Sequence, residues 1–131
     1  MSFIKIANMG SAREREAVPE GEYNLIIISA EPTVVGKDEL PIIKVLYEVE
    51  GESRAKIVGD TLWLPRASDP EARQEDAVFA LQNWCNTFGI PTTEEGIDLD
   101  GVKGLVGKAF LKETEDEKYG RQNAVSRYLI A

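Results

Sequence analysis

One stretch, SDPEARQEDAVFALQNWCNTFGIP (residues 68–91), carries the marks of a helix, and what flanks it reads as strand and turn. Asp69 is placed as N-cap with Pro70 at the first helical position, and Glu71, Glu75 and Asp76 complement the positive end of the helix dipole. Ala77, Leu81, Trp84 and Phe88 recur at intervals of four, three and four, with Val78 and Cys85 beside them, which makes an apolar stripe. Gly89 supplies the stop and Pro91 follows it.

Before this helix lie three runs of strand character. EYNLIIISA is dense in β-branched residues and predicts a strand over about 22–31, opened by Pro19 and Gly21 and closed by Pro32. PIIKVLYEVEG (41–51) alternates: Ile43, Val45, Tyr47 and Val49 share one face, and Ile42, Lys44, Leu46 and Glu48 share the other. AKIVGDTLWLP (55–65) is the third, with Gly59 suggesting a bulge or a sharp bend. After the helix, TTEEGIDLDGVKGLVG reads as a loop with a short helical turn carrying Leu99, Val102 and Leu105. Strands are then expected over 108–115 and 121–130, joined by the hairpin turn DEKYG, where Gly120 can take a positive φ.

Three strands, one helix and two strands make a mainly β chain. The order fits a five-stranded OB-like Greek-key barrel with its α-helix between strands 3 and 4. A ferredoxin-like fold needs a helix after the first strand, and an immunoglobulin-type sandwich needs about seven strands. With 131 residues and a hydrophobic fraction of 43%, one domain over 18–131 is expected, preceded by a polar arm over 1–17 whose GSARERE segment reads as mobile or as a short helical turn.

The sequence contains no histidine and one cysteine, which removes His-based triads, zinc fingers and an internal disulfide. Cys85 lies on the apolar side of the helix and reads as an inert core thiol. DLDG (98–101) lacks the rest of a calcium loop, and Gly101, Gly104 and Gly107 do not follow a strand as a phosphate-binding loop would. Neither an enzyme nor a cofactor is therefore expected. No secretory h-region or spanning apolar run is present, so a cytoplasmic protein is expected, in the host cytoplasm if the chain is phage-encoded. The net charge of −8 weakens any long-range attraction to nucleic acid or to a membrane surface.

Against that total, cations and aromatic rings gather in a few places. Single-strand binding requires a positive groove and rings on which bases stack. Lys44 lies on strand two; Arg54 and Lys56 follow the second turn; Trp63 and Arg66 end strand three. Lys112, Lys118, Tyr119, Arg121, Arg127 and Tyr128 belong to the last hairpin. Glu48, Asp60, Glu113 and the tip acids 115–117 dilute the pattern. Tyr119, beside a turn glycine, is the ring expected at the surface. Tyr47 and Trp84 are expected in the core, Trp63 reads equally as core or as a stacking platform, and Tyr128 either closes the barrel or joins the site.

Several stretches together resemble the small single-stranded-DNA-binding proteins of tailed bacteriophages. These are VPEGEYNLIIISAEP, IIKVLYEVEGE leading to DTLWLP, ALQNWCNTFGIP and LVGKAFLKETEDEKYGRQNAVSRYL. The carriers are the P-x-G-x-Y opening (Pro19, Gly21, Tyr23), Tyr47 and Val49, then Gly107 and Lys108, then Tyr119, Gly120, Asn123, Val125 and Tyr128. The resemblance implies an OB fold and sequence-tolerant binding of single-stranded DNA during phage DNA replication or recombination. It also implies contacts from Tyr119 and the basic residues of the last hairpin, with Gly21 and Tyr23 serving the fold. Phage replication or recombination proteins are implied partners, and edge strands leave a homodimer open. The acidic tail through which many such proteins recruit partners is not expected after RYLIA. The negative total motivates an alternative: an acidic protein-interaction module, or a DNA mimic that fills another protein's basic groove.

Overall fold

The computed structural model describes residues 2–7 and 15–130. Its elements are β1 (Gly21–Val35), β2 (Leu40–Val49), β3 (Val58–Trp63), α1 (Glu71–Phe88), the two-residue strands β4 (Thr92–Thr93) and β5 (Gly96–Ile97), β6 (Val106–Asp116) and β7 (Gly120–Tyr128). The five long strands form one antiparallel sheet in the order β3-β2-β1-β6-β7, and β4 and β5 form a separate small hairpin. The chain is mainly β with a barrel-like sheet and one helix.

Alternation sets the core. Leu25 and Ile27 of β1, Ile43, Val45, Tyr47 and Val49 of β2, Val58 and Leu62 of β3, and Ala109 and Leu111 of β6 all point inward, where Trp84, Cys85 and Phe88 of α1 meet them. Two irregularities bend the sheet around this core. One is in β1 between Ile27 and Ser29; the other is between β6 and β7, beside Phe110 and Leu111. Bulges increase local twist and curl a sheet toward closure. The bulge expected at Gly59 is not there: β2 and β3 pair without interruption from Ile42↔Trp63 to Tyr47↔Val58, with Gly59 opposite Leu46.

Other boundaries also differ from expectation. Pro32 does not end β1, which runs on to Val35. Beyond Ile26, β1 has left β6 and pairs only with β2, so a residue without an N–H costs no ladder bond on the open side. Asp69 does not cap α1; its carboxylate turns back to accept from the Arg66 backbone N–H (3.0 Å) and guanidinium (2.8 and 3.1 Å). That ion pair holds the Asp69 carboxyl below its ordinary value. Gly89 does end the helix, in the left-handed conformation, and the Ile90 N–H closes onto the Cys85 carbonyl (2.8 Å). Val78 faces solvent instead of the core. No helical turn forms around Val102; successive turns carry Gly104 and Leu105 alongside Ile27, with hydrogen bonds of 2.8 and 3.0 Å that prolong the β1–β6 pairing.

The sheet's two edges, β3 and β7, are joined by side chains and by a preceding segment, not by a ladder of their own. Glu16 forms a parallel bridge with Ala55, its N–H donating to the Arg54 carbonyl and its carbonyl accepting from the Lys56 N–H. Two residues on, the buried Asn123 side chain of β7 accepts from the Val18 N–H (2.8 Å) and donates to the Val18 carbonyl (2.9 Å). Residues 16–18 thus fill the seam between the edges. Most of the expected arm lies outside the described residues or in the exposed 2–7 stretch, but its last residues are structural.

Gly107 shows how closely α1 approaches β6. A Cβ built there would stand 2.8 Å from both Phe88 Cδ1 and Thr87 Cγ2. Gly107→Ala is therefore expected to cost about 1–3 kcal/mol through overpacking, read as a lower urea midpoint with an unchanged slope. An unshifted midpoint would show that the helix end can yield.

Candidate nucleic-acid interface

Because β2 points alternate residues inward, the remainder form an outer surface shared with its neighbours. The register aligns Glu31, Lys44 and Thr61 in one row across β1, β2 and β3, and Thr33, Ile42 and Trp63 in the next. Lys44 is exposed at the centre of this face. Trp63, the last residue of β3, is 53% exposed, which resolves its two readings in favour of a surface ring.

The other end of the strip is formed by the β6–β7 turn. Asp116 Oδ1 accepts from the N–H groups of Lys118 (2.7 Å) and Tyr119 (3.0 Å), and Gly120 at φ 73° completes the reversal. One of the tip acids is thereby committed to the turn itself. Tyr119 stands 61% exposed with the Lys118 ammonium 5.3 Å from its ring centroid. Lys56 docks this turn beside the start of β3 by donating to the carbonyls of Tyr119 (2.9 Å) and Arg121 (2.8 Å). From Val58 to Trp63 the β3 backbone runs about 16 Å at roughly 3.3 Å per residue. Trp63 and the turn that carries Tyr119 therefore stand at opposite ends of β3, with Lys44 between them and Arg54 near the Lys56 end.

The remaining candidates go elsewhere. Arg66 pairs with Asp69 (2.8 Å), and Arg121 pairs with Glu113 (2.9 Å), so both charges are locally offset. Lys112 lies on the outer face of β6 and Arg127 on that of β7, where its guanidinium sits 4.9 Å from the Phe110 ring. That face lies across β1 from the β2–β3 strip in the sheet order, so the cations divide between two surfaces instead of converging on one.

Of the two readings of Tyr128, the structure takes the one that packs it inward and not the one that joins it to the site. Its ring meets Phe88 and Tyr47 edge-on, and its hydroxyl donates to Asp60 Oδ2 (2.5 Å). The Trp84 indole N–H donates to the Tyr47 hydroxyl (2.9 Å), and the Tyr47 and Tyr128 hydroxyls are 2.6 Å apart. With Tyr47 donating to Tyr128, every donor in this chain has an acceptor, and the sequence of bonds terminates at a carboxylate. It links α1, β2, β7 and β3, fastening the two sheet edges where no ladder does. Such satisfied buried networks stiffen a core. Asp60 was legible only as an acid diluting the basic set; its inward phase, between Val58 and Leu62, was the available signal.

Burial raises the Tyr47 and Tyr128 hydroxyls well above the usual phenol range, so both stay protonated. Burial also raises the Asp60 carboxyl above its ordinary 3.8, with the Tyr128 hydroxyl and the Thr61 N–H pulling the other way. The folded state then holds the Asp60 proton more tightly than the unfolded chain does. Its contribution is fully present below the unfolded value and is lost as pH rises through the folded one. In urea titrations at pH 4 and pH 7, wild type should gain on Asp60→Asn at the lower pH. A difference independent of pH would contradict this.

Compared with known proteins, the chain matches no protein-family model, and no curated protein matches it.

Proposed function

We propose that this chain is an OB-type protein that binds single-stranded DNA with little sequence preference, coating and protecting it during phage DNA replication or recombination. The observation that carries this reading is the pair of exposed rings, Trp63 at the end of β3 and Tyr119 in the turn docked by its start, with Lys44 between them and Lys118 beside Tyr119. In OB barrels the face of strands 2 and 3, with the loops flanking it, takes oligonucleotides. Here those loops are residues 36–39 and 117–119. The long-strand order, with a helix between the third and fourth, and the resemblance to phage single-strand binders support the same reading.

The chemistry asks little of the overall charge. A few local cations hold phosphates while the rings stack bases, whose flat faces are common to all four. A fluorescently labelled oligo-dT titrated by anisotropy tests the proposal. With two or three phosphate contacts, affinity should fall about tenfold as salt rises fourfold, because the slope is roughly −0.7 per contact for single strands. Absence of binding at tens of micromolar protein in low salt would end it.

A further inference from the structure

The first ten residues of α1 do little for the core. Between Glu71 and Ala80 only Gln74 and Ala77 are partly covered, while Phe79 is 64% exposed and Val78 is 42% exposed. Glu71, Glu75, Val78 and Gln82 recur at helical spacing along one side, with Asp76 and Phe79 at its margin. An apolar and anionic strip of this kind cannot be covered by a nucleic acid. It calls for a partner that is cationic and carries an exposed ring.

The chain possesses such a surface. On the outer face of β6 and β7, Lys108 and Lys112 flank the half-buried Phe110, on which Arg127 is stacked. Glu22, opposite Phe110 on β1, is the acid beside it. Lys108 and Lys112 are about 13 Å apart along the strand, and Glu71 to Phe79 spans about 12 Å of helix. The two strips match in length and oppose each other in charge.

We propose that copies of this chain associate head-to-tail, the outer side of α1 in one copy seating on the outer face of β6 and β7 in the next. Phe79 meets the Phe110–Arg127 stack, and the Lys112 and Arg127 charges face Glu71 and Glu75. The contact is heterologous, so growth does not stop at a pair unless the rotation closes a ring. The proposal does not rest on single-strand binding, and it is tested without any oligonucleotide.

Light scattering across micromolar to near-millimolar protein should show a mean mass that climbs with concentration and falls back in high salt. Lys112→Glu with Arg127→Glu, and separately Glu71→Lys with Glu75→Lys, should each hold the protein at the monomer mass. Mixing the two variants should restore association, because each reversed face then meets its complement. The single changes Lys112→Glu and Glu75→Lys carry the same test should either double variant fold poorly. A wild type that stays monomeric throughout, or association indifferent to both reversals, overturns the proposal. So does a Lys112→Glu, Arg127→Glu protein that still associates but has lost oligo-dT affinity, which would assign that face to nucleic acid.

Discussion

Alanine at both Trp63 and Tyr119 is expected to weaken oligo-dT binding by about thirtyfold or more while leaving the fold intact. Each stacked base is worth about 1–3 kcal/mol, and 1.4 kcal/mol is a factor of ten, so either single change should cost about five- to 150-fold. Stability should barely move, since both side chains are more than half exposed and neither belongs to the buried cluster. The rings lie at opposite ends of the strip, so their losses should add if each holds its own base. Phenylalanine at Tyr119 should retain most of the affinity, because the ring and not the hydroxyl stacks. Wild-type affinity in the doubly substituted protein, with an unchanged urea midpoint, would remove the strip as the binding site.

Trp84→Ala should have the largest effect on stability, about 3–5 kcal/mol from the lost side chain and the cavity it leaves. Trp84 is fully buried, tilted against Phe88 and bonded to Tyr47. Domains of this size are stable by about 5–15 kcal/mol, so the variant should be marginal at room temperature. Trp84→Phe separates two contributions: it preserves most of the packing but leaves the Tyr47 oxygen without its indole donor. The loss should then be smaller, about 1–3 kcal/mol, the cost of an unpaired buried polar group. Chemical denaturation monitored by far-ultraviolet circular dichroism measures both. If alanine were tolerated with less than 1 kcal/mol lost, the α1 anchor would not be what holds the helix against the sheet.

The candidate site was only partly legible. Tyr119 could be expected outside because a turn built on Asp116 and Gly120 leaves little to cover it. Trp63 could not be assigned from its neighbours. Its phase in β3 opposite Leu62 suggests the outer side, but the end of a curled sheet can bury an outer residue, as Ile42 shows at 2% exposure in the facing position. Tyr128 could not be assigned for a related reason. Next to Arg127 it resembles a stacking ring beside a cation, yet the irregularity in β6 and β7 changes the alternation and turns it onto Asp60. Asn123 stands in the sequence only as part of the resemblance, although a polar residue at an inward phase of a strand asks for a partner, and Val18 supplies both groups.

Local chemistry in the sequence determined the parts: one helix stopped by Gly89, strands with a period of two, a hairpin at Gly120, and the inward set Ile43, Val45, Tyr47 and Val49. These depend on residues a few positions apart, and hydrophobic period and turn preference act over that range. Tertiary structure decided the register, the two bends, the seam filled by residues 16–18, and the division of Lys44 and Trp63 from Lys112 and Arg127. Those depend on contacts between residues as far apart as Val18 and Asn123, whose pairing is chosen by how the assembled sheet closes over its core.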